Sequence, residues 1–364
     1  MSGWFFNAGI YLEIDTIEMT GFIALHIGAG NHSHSLKPEY EMLCRTACRK
    51  AVDKLKNGES ALNVACFATK FLEDSELTNA GIGSNLTWDG TVECDASIMD
   101  GTSLNFGAVG ALGCVKNPIM VARKILDDQS HALTLQRVSP CLMVGKGARN
   151  VAEQAGLIVS PNILLTNKTL RLHRKYKRKV EKLENGCLSE GSTRSRLDTV
   201  GVVCVDVNGN LAATCSSGGI ALKQSGRVGQ AAMFGAGCWA QSTGPSKGVA
   251  TSVSGTGEDL IKTLLAKEVA VAMSKSDLPS NAVHASIKSS FLESPFLMLN
   301  SGKLCGLIAL EVCEGSGEFI WAHTTNTMGI GYMSTKNKNP KVRISKLPEG
   351  KLPGTTITLE GISW

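Results

Sequence analysis

The chain has 364 residues, 43% of them hydrophobic and 19% charged, with a formal net charge of +5. This composition fits a folded globular protein and excludes a disordered one, and no apolar run approaches the roughly 18–20 residues of a membrane helix. The positive charge is local: residues 168–182 carry eight Lys or Arg against one acid, Glu181. The rest of the chain is therefore slightly acidic, which excludes a broad nucleic-acid-binding face.

Residues 1–20 read as a divergent N-terminal extension. Trp4-Phe5-Phe6 is soon followed by Glu13 and Asp15 and has no basic residues before it, so it makes a poor signal peptide. Phe22–Ile27 reads as a buried strand ending in a tight turn at Gly28-Ala29-Gly30. Apolar spacing predicts helices over 38–56 and 60–73. The Gly-rich stretch from Thr78 to Gly113 holds strand candidates at 92–99 and 106–111, and helices follow near 118–127 and 145–155. Residues 161–198, polar, basic and finally Gly/Ser-rich, read as a long mobile linker with some helix in its basic part.

Beyond the linker, strands at 200–207 and 211–215 flank Asn208-Gly209, a type I′ hairpin signal. A long helix is expected over 257–274 and another near 280–292, with strands at 304–312, 317–324 and 355–359. Antiparallel hairpins mixed with helices make the fold α+β. The twelve cysteines show no C-x-x-C pair, and most, such as Cys66, Cys204, Cys215 and Cys305, lie among apolar residues. They read as reduced, buried thiols in an intracellular protein. The seven histidines lack metal-ligand spacing, and neither a P-loop nor a dinucleotide fingerprint is present, so no metal or cofactor is expected.

The chemistry centres on Thr199, at the junction of the charged linker and a buried strand. A cut between Asp198 and Thr199 exposes a hydroxyl nucleophile together with a free α-amine, reference pKa about 7.7–8.0, that can act as its base. Three further segments suit one site. Ser217, in Ser216-Ser217-Gly218-Gly219, ends the returning hairpin strand and can hold the Thr199 hydroxyl. Arg227, in Gly226-Arg227-Val228-Gly229-Gln230, can clamp a carboxylate with two parallel bonds. Ser254-Gly255 can offer a hydroxyl and a backbone N–H to an oxyanion. Taken singly, these are equally a capped turn, a surface arginine and a helix N-cap; their co-occurrence favours the site.

These motifs, with His26-Ile27-Gly28-Ala29-Gly30, residues 78–86, Glu93–Gly101, Leu104–Gly110 and Trp321-Ala322-His323-Thr324-Thr325, resemble the plant-type asparaginase/glycosylasparaginase family of N-terminal-nucleophile hydrolases. Within it the resemblance points to the threonine aspartase (taspase) branch. It implies a four-layer αββα sandwich, an α subunit over 21–198 and a β subunit over 199–364 that stay associated after self-cleavage, and a dimer of αβ units. By carry-over, Thr199 is the nucleophile, Ser217 supports it, Ser254 and Gly255 form the oxyanion site, and Arg227, Gly257 and Asn79 line the substrate pocket. Family asparaginases usually have Asp where this chain has Gln230. A neutral side chain there cannot hold a substrate ammonium, which implies endopeptidase cleavage after Asp in protein substrates, among them nuclear transcription and chromatin regulators.

Arg174, Lys175, Lys177, Arg178 and Lys179 read either as a solvated linker or as an import signal recognised by a nuclear import receptor, giving a nuclear and cytoplasmic location. The alternatives are an asparaginase or isoaspartyl peptidase of the same family, a lysosomal glycosylasparaginase, and an uncut, non-catalytic binding protein.

Overall fold

In the computed structural model, residues 19–185, 198–244, 247–297 and 302–364 are described. Residues 1–18 and 186–197, which include most of the expected N-terminal extension and the end of the expected linker, lie outside them. The first half of the chain runs β1 (Phe22–Gly30), α1 (Lys37–Lys56), α2 (Ala61–Glu73), β2 (Cys94–Asp100), β3 (Phe106–Leu112), α3 (Pro118–Asp128), β4 (Leu142–Val144), α4 (Gly145–Gln154), α5 (Pro161–Leu164) and α6 (Asn167–Glu184). The second half runs β5 (Val200–Val205), β6 (Leu211–Ser217), β7 (Cys238–Gly244), β8 (Lys247–Gly255), α7 (Gly257–Thr263), α8 (Leu265–Met273), α9 (Pro279–Ser286), β9 (Cys305–Cys313), β10 (Ser316–His323), β11 (Thr327–Ser334), β12 (Lys341–Lys346) and β13 (Thr358–Ser363).

The strands form two sheets. One is eight-stranded, in the order β12-β11-β1-β5-β6-β2-β3-β4, and the other five-stranded, in the order β13-β10-β9-β8-β7. Helices α1 and α2 cover β1, β5, β6 and β11, α3 covers β2 and β3, and α8 and α9 lie against the smaller sheet. The sheets face each other where β5 and β6 meet β8. The result is a mixed fold with central sheets flanked by helices. Because both faces of the central strands are covered, β1, β5 and β6 are buried at every residue.

Side-chain parity sorts the central strands. Val203, Val205, Ala213 and Cys215 enter the core between the sheets. Val200, Val202, Cys204 and Ala212 enter the core beneath α1 and α2. Burial pushes the thiols of Cys66 and Cys305 up to about 12 and those of Cys204 and Cys215 well up, leaving them inert.

Several expectations are corrected. Gly28-Ala29-Gly30 forms no tight turn: β1 continues through it, with a bulge between His26 and Ala29 and Gly28 at φ 110°. At Asn208-Gly209 only the glycine has positive φ, so the turn is not type I′. Instead the Asp206 carboxylate accepts the N–H groups of Asn208 (2.9 Å) and Asn210 (3.0 Å), and that of Ala61 (3.0 Å) at the start of α2. The helix expected over 257–274 breaks at Leu264, φ 48°, because Lys267 donates its N–H to Gly235 across the fold. The basic segment is ordered as α6, closed at its N-terminus by reciprocal bonds between Thr166 and Thr169. Met19 and Thr20, assigned to the extension, are already buried. Strands β7, β11 and β12 escape the sequence pattern.

Candidate active site

The hairpin register builds the centre of the site. Val200 pairs with Ser216 across β5–β6, which sets Thr199 opposite Ser217, and Ser217 pairs in turn with Asp95 on β2. Directly opposed residues share a face, so Thr199, Ser217 and Asp95 form one row at the same end of the sheet. Thr199 is buried, and its Oγ1 donates to Ser217 Oγ at 3.1 Å. Ser217 Oγ also accepts the N–H of Gly219 at 3.0 Å, which fixes its rotamer. The Gln230 amide donates Nε2–H to Thr199 Oγ1 at 3.2 Å. The hydroxyl is thus held on two sides before any substrate arrives.

Asp198 and Asn79 secure the bond ahead of Thr199. The Asp198 carbonyl accepts the Asn79 N–H at 3.2 Å, and the Asn79 carbonyl accepts the Gly218 N–H at 2.7 Å. The Asn79 side chain donates to the Gly219 carbonyl and accepts from Asn85 N–H, both at 2.8 Å. Asn79 therefore ties the segment 78–86, the Asp198–Thr199 bond and the loop after Ser217 together. Ser254 ends β8, facing β1, and its Oγ accepts the Ala29 N–H at 3.0 Å. It is not the helix N-cap, which is Thr256. A Cβ on Gly255 would stand 2.3 Å from the Leu304 carbonyl oxygen, so only glycine fits there.

Arg227 approaches from a loop, and this part of the site sequence reading left incomplete. Two acids at alternate positions pin the loop. Glu93 accepts the Gly226 N–H and Asp95 the Gly229 N–H, each at 2.8 Å. Asp95 also accepts the Ala111 N–H at 2.9 Å. Burial pushes its carboxyl above the ordinary value, against the pull of the Lys223 ammonium. Buried Lys223 donates to the Glu93 carbonyl at 2.6 Å. The signal for these acids was their spacing, Glu93-x-Asp95, at the start of a strand inside a quoted motif. Arg227 Nε donates to Glu258 Oε1 at 2.9 Å, and Nη2 lies 2.7 Å from the same oxygen. A Cβ on Gly257 would stand 2.6 Å from Arg227 Nη2 and 2.7 Å from Gln230 Oε1. Gly257, Arg227 and Gln230 therefore share one corner beside Thr199.

Behind the row, Ser216 points the other way and donates to Glu73 Oε1 at 2.6 Å, which also accepts the Ile119 N–H at 3.1 Å. Glu73 Oε2 is buried without a hydrogen-bond partner. Burial pushes the Glu73 carboxyl up to about 8, outweighing the bond from Ser216. The native chain then holds a proton that the unfolded chain releases near 4.5. Stability from this group is full below that value and is lost as pH rises towards about 8. Thermal unfolding between pH 5 and pH 9 is expected to show Glu73→Gln gaining on the parent protein as pH rises; a constant difference would refute the shift.

His323 donates Nδ1–H to the Thr325 carbonyl oxygen and bonds Ser345 Oγ through Nε2, both at 2.9 Å, inside the fold, and Trp321 is buried in the core. Among the described residues no cluster of His, Cys, Asp and Glu could hold a metal ion. Arg174, Lys175, Lys177, Arg178 and Lys179 lie on α6, whose Lys177 ammonium stands 5.0 Å from the Trp88 ring centre.

The site presents a buried threonine hydroxyl held by a serine and a glutamine, and comparison with known proteins gives the family. The family model described as asparaginase matches residues 19–343. The isoaspartyl peptidase of Escherichia coli is 37% identical over 260 residues, 69% of this chain and 76% of that protein. The isoaspartyl peptidase/L-asparaginase of Rattus norvegicus is 32% identical over 338 residues, 89% and 93% of the two chains. That of Xenopus laevis is 32% identical over 310 residues, 85% and 91%. Fold and site together define a hydrolase that frees its own threonine nucleophile. The chain belongs to the asparaginase family of N-terminal-nucleophile hydrolases.

These relatives correct the finer expectation. They are named for isoaspartyl peptide and asparagine hydrolysis. The threonine aspartase assignment, endopeptidase cleavage after Asp, nuclear protein substrates and an import receptor as partner are all overturned. The argument from Gln230 fails because its side chain is engaged within the site, on Thr199 and against Gly257. A neutral residue there does not by itself open a path for a longer peptide.

Proposed function

We propose that the chain, once cut between Asp198 and Thr199, hydrolyses the side-chain amide of aspartyl compounds, namely L-asparagine and isoaspartyl peptides. The observation that carries this reading is the Thr199 hydroxyl held between Ser217 and Gln230, with Arg227 at the same corner. Before the cut the Thr199 nitrogen is a peptide amide and cannot act as a base. After it, the amine takes the hydroxyl proton, and Oγ1 attacks the side-chain carbonyl while Arg227 holds the substrate α-carboxylate. Ser254 and Gly255 serve the tetrahedral oxyanion. The C–N bond breaks, ammonia or the peptide amine leaves with a proton, and water hydrolyses the resulting ester to release L-aspartate.

The two pieces remain one body in this reading, since β5, from the second piece, sits between β1 of the first and β6. Helices packed outside two facing sheets support the four-layer αββα arrangement. The test is to supply processed protein with L-asparagine, a β-aspartyl dipeptide and a peptide with an internal α-linked Asp. Aspartate release from the first two and an intact third is the expected result. Fully processed protein that releases no aspartate from either would overturn it.

A further inference from the structure

The neutral Gln230 leaves a chemical question for a zwitterionic substrate: which group receives its ammonium? We propose that Glu258 does, by exchanging its bond to Arg227 for one to the substrate. This rests on the aspartyl-amide reading above and extends it to a residue that decides specificity.

Without substrate, Glu258 Oε1 occupies the fork of Arg227, 2.9 Å from Nε and 2.7 Å from Nη2. A substrate carboxylate that takes this fork with two parallel bonds has to displace Glu258. The pair is unequal in exposure: the Arg227 side chain is 15% exposed and that of Glu258 50%. Half-exposed ion pairs are weak and easily exchanged. Glu258 follows Gly257, whose missing side chain lets Arg227 Nη2 and Gln230 Oε1 approach the backbone, so its carboxylate stands at the mouth of the nucleophile's corner.

Two neighbouring acids, Asp95 and Glu93, are already committed to the loop. Asp95 is filled by two backbone N–H groups and faces Lys223, and Glu93 holds the Gly226 N–H. Glu258 is the acid at this corner whose hydrogen bond runs to the arginine itself.

A zwitterion supplies both replacements. Its carboxylate takes Arg227, and its ammonium takes the carboxylate just displaced, so one ion pair becomes two with no net charge added. A ligand lacking the ammonium displaces Glu258 without compensating it and sets two carboxylates side by side. The exchange thus selects for an α-ammonium with no acid at position 230.

The test uses product-like probes, so it does not depend on turnover. Binding of L-aspartate and of succinate, the same dicarboxylate without the ammonium, is measured by calorimetry on processed protein and on Glu258→Gln. Mass spectrometry gives the fraction of each that begins at Thr199. The parent protein is expected to prefer L-aspartate by up to about fivefold, the size of one half-exposed ion pair. Glu258→Gln is expected to lose that preference through weaker L-aspartate binding, with succinate unchanged or tighter. Equal affinities in the parent protein, a preference that survives in the variant, or an equal loss of both ligands would overturn the exchange; the last would leave Glu258 as a support for Arg227 only. If the processed parent binds neither probe and releases no aspartate, the aspartyl-amide reading itself fails. If it hydrolyses L-asparagine but the variant keeps its preference, only the role of Glu258 fails.

Discussion

Thr199→Ala is expected to leave a single uncut chain and to reduce amide hydrolysis at least about 10⁴-fold, as loss of a nucleophile does elsewhere. Two separate effects converge. Without the hydroxyl nothing attacks the Asp198 carbonyl, so no α-amine is released. Without the amine and the hydroxyl, neither base nor nucleophile exists for substrate. The bonds that Ser217 and Gln230 make to Oγ1, at 3.1 Å and 3.2 Å, also lose their partner. The backbone is untouched, because Gly201 to Val205 stay paired with both β1 and β6. Gel electrophoresis and mass spectrometry check the first effect, and aspartate release the second. Thr199→Ser, which retains the hydroxyl, is expected to cut itself, and normal cleavage of the alanine variant would defeat the mechanism.

Arg227→Ala is expected to process normally but to lose about 10²–10³ in kcat/KM, the cost of removing one partner from a charge pair largely withdrawn from water. The loop should keep its course, since Glu93 and Asp95 hold it through the backbone N–H groups of Gly226 and Gly229, not through the arginine. A lysine is expected to restore little, because one ammonium cannot reproduce the planar fork that meets a carboxylate. Steady-state kinetics on L-asparagine, beside a thermal melt, separate lost clamping from lost folding. Undiminished kcat/KM in a folded, processed variant would remove Arg227 from the substrate site.

Much of the framework follows from local pattern. Helices α1, α2 and α3 fall within a residue or two of their expected bounds, because each carries an apolar stripe at helical spacing. The hairpin β5–β6 was expected from two apolar runs around a turn. Its turn geometry was not, because Asp206 serves α2 as well as the loop. The break at Leu264 and the strands β7, β11 and β12 escaped for a related reason. A bond from Lys267 to Gly235 and pairings such as Thr327 with Lys346 depend on partners the local pattern does not name.

The proposed nucleophile and its neighbours stand out by residue type alone: a threonine after an acid at the mouth of an apolar strand, a serine at the end of the returning strand, and an arginine between glycines. Those choices are local because hydroxyl, amine and guanidinium chemistry belongs to the residue itself. The placement of Gln230, Asp95 and Glu258 depended on tertiary packing. Strand parity sends Ser217 towards Thr199 and Ser216 towards Glu73, and register sets Asp95 beside them. The loop from 226 to 230 then meets Gly257 from beyond β8. The geometry of this corner arises from distances between segments far apart in the chain, and these are set only when the two sheets close on each other.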